Sequence, residues 1–395
     1  MESFSAEKKL ETSPQLEKLP PYLFVDIDRK KRAAIDKGLD VINLGIGDPD
    51  LPTPDFIVEK AASALRNPAH HRYPSGKGGI QLREAIARWM RERYAVALDP
   101  ETEILALIGS KEGIGHLPRA LCGPGDFVLT PDPGYPPYRS GTILAGAEPF
   151  PLRLAESRGF LPDLEAIPPE ILLKSRLLFL NYPNNPTGAG APPGFFEEVV
   201  GWAGRRGIWI AHDAAYAEMR MDGLPPASFL QAAGSKDIGL EFHSLSKSFN
   251  MTGWRVGWAC GNARALKALA QVKDNFDSGV FGAVQEAAIE ALGGGLEAVR
   301  QNMAVYKKRR ENFAQGLEAC GWKIFAGAGT FYLWCQTPPR CNSMQCVEKL
   351  LDDAQIVAVP GSGFGRFGEG YVRFTVTEKE DRLKTALLRI AQIKW

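Results

Sequence analysis

The chain predicts an α/β fold: a doubly wound, mostly parallel sheet with a smaller α+β lobe beside it. The first observation is a series of short apolar runs separated by amphipathic stretches, ILALIG (104–109), DFVLTPDP (126–133), RLLFLNYP (176–183), IWIAHD (208–213), LEFHSLSK (240–247) and RVGWACGN (255–262). Continuous apolar runs of this kind suit strands covered on both faces, as in a parallel sheet with helical crossovers. The second is that polar or glycine-rich residues recur at the C-terminal ends of these runs, in GSKEG, DPGYP, NYPNNPTG, HDAAY and SLSKS. Ligands of open α/β sheets bind at that edge, where loops converge and helix N-termini point into a crevice. The third is a change of pattern after about residue 285, where a long helical stretch (AVQEAAIEAL, then QNMAVYKKRRENFAQGLEAC) gives way to strand-like FYLWCQ, IVAVP and YVRFTV. The first 50 or so residues, Pro-rich and without periodicity, are either a tail or part of that second lobe.

Composition narrows the function. A chain of 395 residues, 45% hydrophobic, is long enough for two lobes. Lys plus Arg number 47 against 46 Asp plus Glu, so no overall charge draws it to nucleic acid or an anionic membrane. A small-molecule partner is expected. Six cysteines lie scattered with no C-x-x-C pair and no zinc-finger spacing, and are read as reduced and structural, with no metal site. The opening residues lack the apolar core of a signal peptide and no run reaches membrane-spanning length, so a cytoplasmic location is expected.

The loops carry the chemistry. Lys247 ends an apolar run in HSLSKSFNMTGWRVGW, beside Ser244, Ser246 and Ser248 and eight residues before Arg255. A lysine that forms a Schiff base needs partial desolvation to lower its pKa, and hydroxyls with an arginine make a phosphate cradle. Asp213, in WIAHDAAY, ends a buried strand, which is costly unless a cation such as a protonated pyridine nitrogen faces it; otherwise it caps a helix. Tyr216 and Asn185 are placed to donate to a phenolic oxygen, although NNPTG is also an ordinary turn signal. Ser110 and Lys111 follow a strand in GSKEGIGHL and open a helix, an arrangement that binds phosphate. Tyr135, in PDPGYPPY, is an aromatic able to stack on a ring.

Taken in order, this set resembles the fold-type I, class I/II aminotransferases that use pyridoxal 5′-phosphate, over nearly the whole chain from about Leu19. The motifs are Asn185-Pro186, Asp213-x-x-Tyr216 and Ser244-x-Ser246-Lys247 followed by Arg255. The resemblance implies a seven-stranded, mostly parallel sheet in a large domain (51–285), a small domain (286–395) and an N-terminal segment (1–50) packing with it. It makes Lys247 the Schiff-base lysine and proton carrier and Asp213 the partner of the pyridine nitrogen. Asn185 and Tyr216 become donors to the phenolate, and Tyr135 the stacking ring. Ser110, Lys111, Ser244, Ser246 and Arg255 fall around the phosphate, and Arg373, in YVRFTV, forks onto the substrate α-carboxylate. Tyr73, in HRYPSGKGG, reaches the partner's phosphate in a homodimer with shared sites.

Within the family the wording of KLPPYLFVDIDRK, LGIGDPDLPTP, ALIGSKEGIGHL and SLSKSFNMTGW is similar to the bacterial LL-diaminopimelate aminotransferases, in which Tyr22 and Gly47 would line the substrate site. That reaction exchanges LL-diaminopimelate and 2-oxoglutarate with tetrahydrodipicolinate and glutamate, toward lysine. The stretch after Tyr73 holds only Lys77 as a charge, where plant-type members carry an acidic residue. Alanine or aspartate transamination is the alternative, and a pyridoxal-phosphate C–S lyase uses the same cofactor set.

Overall fold

The computed structural model describes residues 12–20 and 23–395. After a two-residue strand β1 (Ile42–Asn43), seven strands build the central sheet: β2 (Ile104–Leu107), β3 (Phe127–Asp132), β4 (Glu148–Arg153), β5 (Ser175–Asn181), β6 (Trp209–Asp213), β7 (Gly239–Ser244) and β8 (Gly257–Gly261). Their spatial order is β2-β8-β7-β6-β5-β3-β4. Only β8 runs antiparallel to its neighbours, β2 and β7; the other pairings are parallel.

The apolar runs are continuous because both faces of the sheet are covered. On one face Leu178, Leu180 and Ile210 pack with Phe196, Val199 and Phe229. On the other, Leu177, Phe179, Ala211 and Phe242 pack with Ile114, Leu117 and Leu269. Strand β4 is absent from the six runs visible in the sequence, and its composition explains why. It reads EPFPLR, two prolines in six residues, and it lies at the sheet edge, where missing N–H groups cost no internal ladder bond.

The second region holds β9 (Ile324–Phe325), β10 (Tyr332–Gln336), β11 (Ile356–Val357), β12 (Val359–Pro360) and β13 (Tyr371–Thr375). Four of these form an antiparallel sheet in the order β12-β13-β10-β9, while β11 pairs in parallel with β1. A separate core joins Ile42 and Leu44 to Leu317, Phe331, Leu333, Phe374 and Leu383. The helix Gly282–Gly294, at the change of pattern, packs its buried alanines against the helices Asp55–Ala64 and Ile80–Tyr94, and the 24-residue helix Leu296–Ala319 follows it.

Leu269 is fully buried between the helix Ala263–Lys273 and the sheet. Leu269→Ala should lower the free energy of unfolding by about 2–5 kcal/mol, the range for truncating a packed leucine. Chemical denaturation followed by tryptophan fluorescence measures it, and an unchanged midpoint would contradict the packing described.

Candidate active site

The turn out of β2 passes through Gly109 at φ +74°, a backbone state suited to glycine, and a Cβ there would run into the Arg255 guanidinium. The helix Ser110–Leu121 starts at once. A Cβ added at Gly257 would lie 3.1 Å from the Ser110 nitrogen and 3.4 Å from the Ser244 Cα. The helix N-terminus, the end of β7 and Arg255 therefore converge on one spot, and a helix N-terminus flanked by hydroxyls and a guanidinium is an anion site. Arg255 itself is fixed by donating to the Thr252 carbonyl at 2.9 Å.

Ser244 ends β7, and its Oγ accepts the Ser246 N–H at 3.1 Å, capping the short turn Leu245–Ser248 that carries Lys247. The lysine Nζ donates to the Gly47 carbonyl at 2.7 Å. Burial pushes its pKa down to about 8, reinforced by Arg373 and Arg255 and opposed by Asp48. A usable share of neutral amine therefore exists near neutral pH, as a nucleophile or base requires.

Asp213 ends β6 with its carboxylate buried. It accepts from Tyr138 Oη at 2.8 Å and the Ala215 N–H at 3.2 Å. Desolvation raises its pKa against those two hydrogen bonds and the nearby imidazoles of His212 and His243, the response of a buried anion that gains from a facing cation. The Ala215 bond makes it the start of a turn rather than a cap on a regular helix. Asn181 Nδ2 donates to the Asp213 carbonyl at 2.8 Å while its Oδ1 accepts the Asn185 N–H at 2.7 Å, which sets the loop after β5 against β6.

Arg373, on β13, is 2% exposed and donates to Asn185 Oδ1 and to the Gly45 carbonyl, both at 2.7 Å. Its guanidinium lies over the rings of Tyr332 (4.1 Å) and Phe364 (4.7 Å), and its Nε has no partner among the described residues. Tyr216 Oη is 2.9 Å from Tyr332 Oη. A Cβ at Gly47 would collide with the Tyr332 phenol, so only glycine fits there.

The functional side chains among these groups line one cavity of about 400 Å³. It gathers Gly47, Ser110, Lys111, Tyr135, Asn185, Asp213, Tyr216, Ser244, Ser246, Lys247, Arg255 and Arg373, as the sequence predicts. Tyr73 lies elsewhere, 90% exposed, and Tyr22 falls outside the described residues. Sequence reasoning missed Asp48, Asn181, Thr252 and Tyr332 on the cavity wall and Tyr138 behind Asp213. Asn181 had a usable signal, a polar residue at the C-terminal end of a buried strand just as Asp213 is. Tyr332 had none, since it sits within an ordinary strand pattern.

A cavity that puts a low-pKa lysine, a buried carboxylate, an anion cradle and a buried arginine on one sheet edge defines a class of enzyme, and comparison with known proteins agrees: the chain belongs to the aminotransferase class I and II family, whose profile matches residues 39–390. It is a pyridoxal-phosphate-dependent aminotransferase. It is 47% identical to the LL-diaminopimelate aminotransferase of Halothermothrix orenii over 96% of this chain and 98% of that one. To the enzyme of the same name from Desulforudis audaxviator it is 49% identical, over 95% and 96%. Among solved structures, substrate-bound BacF from Bacillus subtilis superposes with a TM-score of 0.94 at 39% identity, covering 97% of this chain and 98% of that one.

The residues fit the cofactor on their own chemistry. The cradle at Ser110, Ser244 and Arg255 suits its phosphate, the buried Asp213 suits a ring nitrogen that carries a proton, and Lys247 suits its aldehyde. In cofactor-free protein, acylation of Lys247 should reach half its limiting rate near pH 8, against the ordinary lysine value of 10.5. Peptide mapping by mass spectrometry at a series of pH values reads this directly, and a midpoint shared with surface lysines would contradict the desolvated setting.

Proposed function

We propose that this enzyme transfers the amino group of LL-diaminopimelate to 2-oxoglutarate, or runs that exchange in reverse, in the route to lysine. The observation that carries the reading is the joint occurrence of a cavity lined by Lys247, Asp213, Arg255 and Arg373 and 47–49% identity, over nearly the whole of both chains, to enzymes of that name. Bound pyridoxal phosphate supplies an aldehyde for the amino group and a ring that takes up the electron pair left at the substrate α-carbon. The remaining work falls to the chain. Asp213 holds a proton at the ring nitrogen, which keeps the ring electron-poor. Lys247 Nζ, once released as a free amine, would serve as the base for the proton on the substrate α-carbon, a task suited to an amine with a pKa of about 8.

Asn185 and Tyr216 donate to the ring's phenolic oxygen. The Asn185 Oδ1 is already committed to Arg373, which leaves its amide nitrogen for that role. Tyr135 stacks on the ring, and Ser110, Lys111, Ser244, Ser246 and Arg255 hold the phosphate. Arg373 forks onto the α-carboxylate; its Nε and the N–H groups it does not give to Asn185 and Gly45 remain for a charged partner. Gly47 lines the substrate side. The chain divides into a segment 1–50, a large domain 51–285 and a small domain 286–395, and works in the cytoplasm as a homodimer. The dimer is supported by Tyr73, whose 90% exposure suits a side chain that completes the partner's site.

A donor panel with 2-oxoglutarate, read as glutamate formation, tests the substrate. LL-diaminopimelate should turn over fastest; faster turnover of alanine or aspartate would reassign the donor and leave the transaminase class intact, and keto acid release without 2-oxoglutarate would indicate a lyase. Lys247→Ala should retain the fold by circular dichroism while losing turnover and the visible absorbance of bound cofactor. Arg373→Lys should raise KM for donor and acceptor alike by about tenfold or more, as expected for losing one charge-assisted hydrogen bond to a carboxylate both substrates carry. A rise confined to one substrate would place that arginine elsewhere than at the α-carboxylate.

A further inference from the structure

Behind the cavity, on the face of the sheet covered by the helices Ile80–Tyr94 and Phe195–Gly204, three ionisable side chains that do not line the cavity meet. Glu241, on β7, is fully buried and its carboxylate accepts four hydrogen bonds. Oε1 receives Ser228 Oγ and His243 Nε2, both at 2.6 Å. Oε2 receives the Phe229 N–H at 2.6 Å and His212 Nδ1 at 3.0 Å. The far side of the His212 ring, Nε2, lies 3.3 Å from the Tyr182 N–H and 3.2 Å from the Tyr182 carbonyl, so the ring spans from β7 to the loop carrying Asn185. His243 stacks on Trp258 of β8, ring centroids 4.9 Å apart and planes 10° from parallel.

Side chains alternate along a strand, and the register makes this arrangement consequential. His212 lies opposite Glu241 and Asp213 opposite Phe242 across the β6–β7 pair. Glu241, His212 and His243 therefore share the rear face, and each histidine is joined by one peptide to a cavity residue, His212 to Asp213 and His243 to Ser244. Burial opposes the charge on Glu241, but the two imidazoles and their hydrogen bonds more than offset it and hold the carboxyl below its ordinary range. Stability alone gives weak grounds for such a cluster, because well-packed apolar residues of similar volume often serve a fold as well as a buried ionic group.

We propose that Glu241 is a positioning residue for the aminotransferase reaction: gripping His212 and His243 from behind, it fixes the ends of β6 and β7 so that Asp213 and Ser244 meet the ring nitrogen and phosphate of the cofactor. The inference rests on the roles assigned above to Asp213 and Ser244. Glu241→Gln keeps the size of the side chain but replaces one acceptor oxygen with a donor facing existing donors. It should weaken pyridoxal phosphate binding to the cofactor-free protein, read by fluorescence titration, and lower kcat by about 10- to 100-fold, as when supporting partners of liganding groups are removed. KM for the amino donor should stay near the parent value, since Arg373 lies apart from the cluster.

Leu269→Ala serves as the control, because it destabilises the same sheet without touching the cluster and should leave both readouts unchanged. Cofactor affinity and kcat in Glu241→Gln equal to the parent, or reduced no more than in Leu269→Ala, overturn the proposal. If Glu241→Gln does not fold, His212→Asn and His243→Asn, each removing one tether, carry the same expectations. Asp213→Asn separates the two levels of inference. Normal turnover in Asp213→Asn overturns the site reading itself, whereas a crippled Asp213→Asn beside an intact Glu241→Gln overturns only the positioning role.

Discussion

A guanidinium buried with neutral partners is the constraint around which the site is arranged. Arg373 is almost wholly removed from water, and its partners are a side-chain amide, a main-chain carbonyl and two aromatic faces. Each comes from a different part of the chain: Asn185 follows β5, Gly45 follows β1, Tyr332 opens β10 and Phe364 precedes β13. Satisfying one charge thus forces four segments to meet. The Tyr332 phenol then dictates a glycine at position 47, and the carbonyl of that glycine receives the amine of Lys247. A carboxylate-recognition element and a reactive amine are linked through a single packed path.

Burial acts on the two reactive groups in opposite senses. It moves Lys247 toward the neutral amine and Asp213 toward the neutral acid, each the less costly form in a poorly hydrated place. Transamination asks for a neutral amine and an ionised acid. Desolvation alone therefore delivers the first, while the second needs the hydrogen bonds from Tyr138 and Ala215 together with the positive charge of a protonated ring. The chain supplies what its own packing makes available and leaves the rest to the cofactor's charge.

Much of this was legible in the sequence, for a physical reason. Residues at the C-terminal ends of buried strands share an edge whatever the details of the fold, so Ser110, Asn185, Asp213 and Lys247 could be assigned to one crevice from their places in the apolar runs. Tyr332 and Tyr138 could not. Each reaches the site through tertiary packing from a position where an aromatic residue is unremarkable, and nothing local distinguishes them from core tyrosines. Strand β4 escaped the pattern because its prolines break the apolar run that marks the other strands. The cluster at Glu241 was hidden for another cause: LEFHSLSK counts as one strand run, and only the register places His212 beside Glu241.

The prolines of β4 bear on how the molecule avoids unwanted company. Along the β3–β4 pair the inward N–H groups belong to alternate residues, Glu148 bonding to the Asp126 carbonyl and Leu154 to that of Asp132. Pro149 and Pro151 are out of phase with these, so the N–H groups they lack would have pointed away from the sheet. The free border of an otherwise extendable seven-stranded sheet thus offers no donors at two successive outward positions, and a strand from another chain finds no ladder to complete there. At that border, composition alone disfavours growth of the sheet by edge-to-edge pairing.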